Sequence, residues 1–279
     1  MRALVRYDKA DAGRLSAALT YYSFFATFAL ALLGFAILSR ILDYPPALAE
    51  VQRYLSDTFP RLDVQALRDA GGTAGLVACV ALPLTGLFWM DTLRSATRAI
   101  WRLEEYPGNF FLRQLIDLGV VAGLGLLLSL SLTVVFAAES ALTWLAVHTV
   151  GVDATPARWV LSAAAFVLGI AVNTLLAMAL LTAPPRLHLP LRRVIGPALV
   201  ITTGLEILKT LGQAVLNLTA ANPAYQVVTG AVAMLLFLKM LNQLILFATA
   251  LAATSLTGGV TDLATPSSRP RPASTNARS

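Results

Sequence analysis

Six long apolar stretches, separated by shorter polar connections, dominate the pattern of hydrophobic and polar positions along the chain. Each stretch has roughly 18 to 25 residues, which is long enough to cross a hydrocarbon core of about 30 Å as an α-helix. We therefore predict an all-α, polytopic membrane protein with six transmembrane helices in a single domain, residues 1–254. The predicted spans cover residues 17–38, 73–90, 118–138, 160–181, 194–216 and 227–251.

The connection between the first two spans, residues 43–72, is the largest external segment of this predicted topology. Polar and apolar residues recur at helical spacing in residues 47–58 and again in 62–70, and Pro60 separates the two runs. The pattern predicts two short amphipathic helices at the outer membrane surface. Such a segment is either a simple connector or a lid over an external opening.

The last part of the chain, residues 255–279, has a different composition from the spans. It is rich in Pro, Ser and Thr and holds few large apolar residues. A segment of this kind cannot bury enough apolar surface to fold. We predict a disordered cytoplasmic tail.

Span five has one polar face along its length. The polar residues recur at steps of four, three, four and four, within an arc of roughly 80° on a helix. They are Thr202, Glu206, Lys209, Gln213 and Asn217. A charged group near the middle of a membrane span costs roughly 2.5 to 3.5 kcal/mol on insertion scales. The polar face must therefore point at other helices or at a water-filled cavity. Glu206 and Lys209 are three residues apart and can touch.

Spans four and six add polar groups at a similar depth. Lys239 is near enough in depth to pair with Glu206, and Asn173 supplies an amide from span four. Two interpretations are open: a satisfied network that holds the three helices together, or a polar route for a headgroup or an ion. The residues of the predicted route are Asn173, Glu206, Lys209, Gln213, Asn217, Lys239, Asn242 and Gln243.

The composition excludes an ordinary soluble domain. The chain is 57% hydrophobic and only 13% charged, whereas soluble domains have about 25% charged residues. Its basic residues cluster on one side of the predicted topology, so the positive-inside rule places both termini in the cytoplasm. This asymmetry accounts for the net charge of +6, and the pattern lacks the basic stripe of a nucleic-acid partner. The basic segments are residues 2–14, 94–113, 186–193 and 269–278.

Arginines and tryptophans are combined at the cytoplasmic end of span two, where Trp89 and Trp101 flank the basic residues. One interpretation is anchoring of the helix in the headgroup layer. The other is binding of lipid phosphates by Arg94, Arg98 and Arg102, because guanidinium groups bind phosphate through two parallel hydrogen bonds.

Catalytic residues are scarce. The predicted topology puts His148 outside and His188 inside, so the two histidines cannot share a metal site. Cys79 is the single cysteine, which excludes an intrachain disulfide. No nucleophile-elbow, phosphate-loop or zinc-protease motif is present. We predict that the protein is not an enzyme and holds no cofactor or metal.

Two stretches resemble a known family. The first span opens with AALTYYSFF at residues 17–25, which resembles the double-tyrosine opening of the YihY/BrkB virulence-factor family of bacterial inner-membrane proteins. The stretch TRAIW at 97–101, followed by an acidic pair and by an aromatic pair, is also similar to that family. The resemblance covers most of the chain, and its motif tyrosines are Tyr21 and Tyr22.

The resemblance implies a protein of the bacterial inner membrane that acts on lipid-like envelope substrates. Near the end of span six the family often has a Gly-Ala-Glu element, whereas Ala248-Thr249-Ala250 stands here. No role of that glutamate can therefore be carried over. Some members have been labelled ribonuclease BN, but the chain shows no nuclease chemistry that would support the label.

Two functions compete on this basis. The first is a transporter or flippase-like protein for a lipid-like substrate, which uses the polar route between spans four to six. The second is a membrane scaffold or assembly protein in which the polar faces serve only helix packing. Membrane lipids are the expected partners in both cases, and a homo-oligomer is compatible with either.

Overall fold

The computed structural model describes residues 1–42, 64–106, 108–145, 155–219, 223–255 and 259–263. Within these residues the chain forms helices and one pair of two-residue strands, which confirms the predicted all-α class. The elements are α1 (Arg2–Lys9), α2 (Ala12–Leu42), α3 (Val64–Trp101), α4 (Phe110–Leu145), α5 (Thr155–Thr182), β1 (Leu187–His188), α6 (Leu191–Thr219), α7 (Pro223–Thr254) and β2 (Thr261–Asp262).

Five of the described helices are long and apolar enough to cross a membrane, namely α2, α3, α4, α6 and α7. The apolar part of α5 with described side chains, Phe166–Thr182, is shorter. These helices contain the predicted spans one, two, three, five and six. The count of six spans and the cytoplasmic position of the termini stay predictions.

The outer surface of the helices is apolar. Large side chains such as Leu126, Phe166 and Val167 are well exposed. A soluble monomer rarely exposes so much apolar area, whereas a helix that faces lipid requires it. The buried apolar core is gathered instead near one end of the bundle, where it includes Leu19, Leu93, Ile100, Leu181 and Leu246.

This end of the bundle also collects the arginine-rich segments. We call it the basic end, and it consists of α1, the last two turns of α3, the first two turns of α4, the connection through β1 to the first turn of α6, the last turn of α7 and β2. Three hydrogen bonds join its parts: Arg6 Nε to the Ile100 carbonyl (2.6 Å), Arg98 Nη1 to the Pro185 carbonyl (2.9 Å) and Arg193 Nε to the Ala252 carbonyl (2.8 Å). Segments that the sequence placed on one side of the membrane thus meet in space.

The second predicted surface helix does not exist as a separate element. Residues 64–70 are the first two turns of α3, which runs without a break to Trp101. The chain has no proline between Val64 and Pro83, so nothing interrupts the backbone hydrogen bonds of the helix there. The first predicted surface helix, residues 47–58, lies outside the described residues.

The predicted disorder of the tail is wrong for residues 259–263. Strand β2 pairs antiparallel with β1, with Leu187 opposite Asp262 and His188 opposite Thr261. The amide of Leu263 also donates to the Arg186 carbonyl at 3.0 Å. These contacts give the short segment backbone partners that its composition did not reveal. Residues 264–279 lie outside the described part of the chain.

Adjacent glycines in α3 provide a matched test of the packing between α2 and α3. A Cβ atom at Gly71 would collide with the Ser39 side chain, whereas one at Gly72 would meet no atom within 4 Å. We expect Gly71→Ala to destabilise the protein by about 1–3 kcal/mol through overpacking. Gly72→Ala should stabilise it by about 0.5–1 kcal/mol through helix propensity. Thermal midpoints of the detergent-solubilised variants check this, and equal midpoints would contradict the close approach.

Candidate functional site

A cluster of polar side chains joins α5 to α6 in the middle of the membrane-spanning region. We call it the α5/α6 polar cluster, and its members are Asn173, Thr174, Thr202, Glu206 and Lys209. Lys209 Nζ donates to Glu206 Oε1 at 2.7 Å, and Asn173 Nδ2 donates to the same oxygen at 3.1 Å. Thr174 and Thr202 share a hydrogen bond of 3.2 Å between their hydroxyl oxygens. The predicted contact between Glu206 and Lys209 is therefore present.

The cluster is deep in the helix but open to its surroundings. Glu206 lies about 22 Å from the start of α6 and about 12 Å from Ala214, at about 1.5 Å per residue. Its side chain is 29% exposed and that of Lys209 is 49% exposed. Glu206 Oε2 accepts no hydrogen bond from any described residue. The cluster therefore presents an acceptor and a cation on an otherwise apolar helix.

The remaining residues of the span-five face extend the cluster only in part. Gln213 is exposed one turn beyond Lys209. The side chain of Asn217 lies outside the described residues. The described part of the polar face therefore runs from Thr202 to Gln213 on α6.

Asn242 of α7 belongs to a different contact. Its side chain is buried and donates to Ser23 Oγ at 3.1 Å and to Thr20 Oγ1 at 3.4 Å, both on α2. The polar stripe of span one and that of span six thus meet each other. Asn242 and Thr20 are buried and Ser23 is half-buried, and their hydrogen bonds hold α2 against α7.

Lys239 is not the partner of Glu206, so that prediction is wrong. Gly204 packs against Leu244, which sets the register between α6 and α7. In antiparallel helices this register places Lys239 at the depth of Lys209. However, Lys239 is exposed, forms no ion pair with a described residue and lies one turn from Asn242, which contacts α2.

The residues of the predicted route accordingly lie in two separate places. Glu206, the acidic residue of the route, lies in the α5/α6 polar cluster, whereas Asn242 on α7 points toward α2. Gln243 is half-buried and makes no hydrogen bond to a described residue. The polar residues of spans four to six whose side chains are described therefore do not line one common passage.

A second polar cluster, the buried arginine cluster, lies at the basic end and consists of Arg94, Arg98, Asp117, Arg186 and Asp262. Asp117 accepts from Arg94 Nε at 3.0 Å and from Arg186 Nη2 at 2.7 Å. Asp262 accepts from both terminal nitrogens of Arg98, at 2.8 and 3.1 Å. The cluster ties α3 to α4, to the β1 connection and to β2.

These contacts correct the prediction that Arg94 and Arg98 bind lipid phosphates. Both side chains are 0% exposed. Arg94 also donates to the Glu105 carbonyl and pairs with Asp91, and Arg98 donates to the Glu104 carbonyl. Their donors are directed at protein oxygens, so no lipid phosphate can reach them in this structure. Arg102 is exposed, and for it the lipid contact stays a prediction.

The two motif tyrosines contribute aromatic packing. The Tyr22 ring stacks on Phe88 of α3, with 5.8 Å between ring centroids. Tyr21 is exposed and contacts Tyr22 and Phe25 edge to face, at 5.3 and 4.9 Å. Such contacts stabilise the pairing of α2 with α3. Neither ring contacts the α5/α6 polar cluster.

Sequence reasoning missed the acidic half of the buried arginine cluster. Asp117 and Asp262 are 23 and 164 residues from the arginines that they bind, so no local spacing could link them. The one available signal was an isolated acid next to an apolar span, since such an acid requires a cation.

A family model described as virulence factor BrkB matches residues 3–270. No curated protein and no solved structure matches the chain. The matched region contains both polar clusters and the two motif tyrosines.

Proposed function

We propose, from the premise that this chain belongs to the virulence factor BrkB family, that it is a multi-pass transporter or flippase-like protein which moves a lipid-like substrate past the α5/α6 polar cluster. In this proposal the protein lies in the bacterial inner membrane, with the basic end on the cytoplasmic side. The proposal assigns no catalytic step, cofactor or nucleic-acid partner to the chain.

One observation carries this proposal: the Glu206–Lys209 ion pair is exposed at membrane depth. A charged pair that faces hydrocarbon is costly, because neither water nor protein replaces its hydration. Helix α6 is otherwise apolar enough to span a membrane. The exposed face is therefore best satisfied by water or by the polar part of a substrate.

The hydrogen-bonding capacity of the cluster indicates what such a substrate offers. Glu206 uses Oε1 for both of its described bonds, which leaves Oε2 for a donor. Lys209 Nζ has three donors and uses one of them on Glu206. A headgroup with an ammonium or hydroxyl donor next to a phosphate acceptor satisfies both groups. The apolar surface beside the cluster accommodates acyl chains.

The alternative is a scaffold that does not transport. It is favoured by the hydrogen bonds of Asn242 to Thr20 and Ser23, which join two helices and serve packing. In that case the exposed face of α6 is covered by another protein in the membrane.

The two functions predict different results in reconstituted liposomes. We expect the purified protein to accelerate the exchange of fluorescent phosphatidylethanolamine between leaflets. The exchange is measured as bleaching by dithionite, which reaches only the label in the outer leaflet. Glu206→Gln/Lys209→Met removes the charges but keeps the side-chain size. Because bonds to charged groups contribute about 1.5–3 kcal/mol each, we expect the rate to fall about tenfold or more.

Lys239→Met is the matched control, since it removes an exposed cation at the same depth on another helix face. Its exchange rate should stay within about twofold of the parent protein. If the Glu206/Lys209 variant folds and exchanges lipid as fast as the parent, or if the parent exchanges no lipid, the transport proposal fails and the scaffold is favoured.

A further inference from the structure

A pocket lies at the basic end and shares no residue with either polar cluster. It has a volume of about 320 Å³, is open to the protein surface and is lined by α1, by the turn after α3 and by the last residue of α7. Its lining includes Met1, Arg2, Val5, Arg6, Lys9 and Arg102. Four of these side chains are cationic and none is acidic. We call it the α1 pocket.

The cations of the α1 pocket are not neutralised by the described part of the protein. Arg2, Lys9 and Arg102 are exposed, and none of the four cations forms an ion pair with a described carboxylate. Arg6 is fixed by the bond from its Nε to the Ile100 carbonyl. That bond leaves the two terminal nitrogens of its guanidinium group for a ligand.

The backbone at Arg102 holds this side chain at the pocket in a conformation that arginine rarely adopts. Its φ angle is +59°. The Arg102 amide donates to the Ala99 carbonyl, and the Leu103 amide donates to the Arg98 carbonyl, both at 3.0 Å. This is the Schellman ending of a helix, in which glycine is the usual residue at the position of Arg102. An arginine here is strained, and such strain makes the Arg102 side chain a candidate for a functional role.

The positive charges around the α1 pocket favour an anionic ligand. Burial and the nearby Arg102 charge together lower the pKa of Arg6 from its ordinary value. Like charges that face one pocket repel each other, and an anion between them relieves the repulsion.

We propose that the α1 pocket binds the phosphate group of an anionic phospholipid at the membrane surface. Arginine binds phosphate through two parallel hydrogen bonds, and basic residues next to membrane spans attract anionic lipids. The apolar side chains of Met1 and Val5 beside the cations suit a lipid better than a free phosphate ion. This inference does not rest on the transport proposal, because it concerns binding at another place in the protein.

The test measures binding of soluble short-chain lipids to the full-length protein in a neutral detergent by isothermal titration calorimetry. The probes are dioctanoyl phosphatidylglycerol, dioctanoyl phosphatidylcholine and inorganic phosphate. We expect saturable binding of phosphatidylglycerol and at least about tenfold weaker binding of the other two. Each surface cation contributes enough to anionic-lipid binding to change the affinity about fivefold.

Arg102→Gly is the informative variant, because glycine adopts the backbone conformation found there. It should bind phosphatidylglycerol about fivefold more weakly and show an equal or higher thermal midpoint. Arg2→Gln/Lys9→Gln removes two exposed cations of the pocket and should weaken binding about 25-fold. Arg192→Gln removes an exposed cation of the basic end outside the pocket and should change the affinity less than twofold.

Three results would overturn the proposal. The first is an absence of saturable phosphatidylglycerol binding. The second is an equal loss of affinity in Arg192→Gln and in the pocket variants, which would show only a diffuse charge effect. The third is full competition by inorganic phosphate at matched concentrations, which would make the pocket a site for free phosphate and not for lipid.

Discussion

Replacing Asp117 with alanine is expected to lower the free energy of unfolding by about 3–5 kcal/mol, the loss typical of a buried ion pair that loses one partner. Asp117 is 1% exposed and binds Arg94 and Arg186. Arg94 is fully buried, so the variant leaves a cation without water and with one carboxylate fewer. In a protein of this size the thermal midpoint should fall by about 10 °C.

Arg14→Ala is the control for this variant. Arg14 also belongs to an ion pair, with Asp11, but the two side chains are 81% and 70% exposed, and an exposed pair contributes only about 0–1 kcal/mol. Its thermal midpoint should stay within about 2 °C of the parent protein. If Asp117→Ala shifts the midpoint no more than Arg14→Ala does, the buried arginine cluster does not stabilise the basic end.

The two polar clusters differ in how far their charged groups are buried. In the buried arginine cluster, fully buried guanidinium groups direct their donors at carboxylates and carbonyls, which makes this end rigid. In the α5/α6 polar cluster, an ion pair remains partly exposed with an acceptor to spare. A membrane protein that moves a substrate needs both a fixed frame and an open polar surface, and this division supports the proposed function.

The sequence predicted the helices better than their contacts. Apolar runs of membrane length directly indicated five described helices, and the residues at 17–25 and 97–101 led to the family that the match over residues 3–270 confirms. Helix α1 was missed because its 8 residues are too short and too polar for that signal. The continuation of α3 before residue 73 was missed because the amphipathic pattern of residues 62–70 was interpreted as a separate surface helix.

The site was predictable only where its contacts are local. Glu206 and Lys209 are three residues apart on one helix, so their pairing followed from spacing. The pairing proposed for Lys239 depended on which side of α7 it occupies, and the sequence does not contain that rotation. Likewise, lipid binding by Arg94 and Arg98 was one interpretation of the sequence, based on the ability of guanidinium groups to bind phosphate, whereas several of their partners lie on distant segments.

The Asp262 carboxylate ties strand β2 to the buried Arg98 side chain, so we expect Asp262→Ala to release β2. The variant removes both side-chain bonds that Asp262 accepts from Arg98 and leaves a buried guanidinium with only carbonyl partners. We expect a loss of about 3 kcal/mol in unfolding free energy, at the lower end for a buried pair because Asp262 is 18% exposed.

The measurement that checks this release combines the thermal midpoint with hydrogen exchange. The amide of Leu263, which donates to the Arg186 carbonyl, should exchange faster in Asp262→Ala but not in Thr261→Ala, which leaves the ion pair intact. A chain that ends after residue 263 should behave like the parent, and one that ends after residue 258 like Asp262→Ala. If the Leu263 amide exchanges no faster in Asp262→Ala than in Thr261→Ala, the pairing of Asp262 with Arg98 does not hold β2 in place.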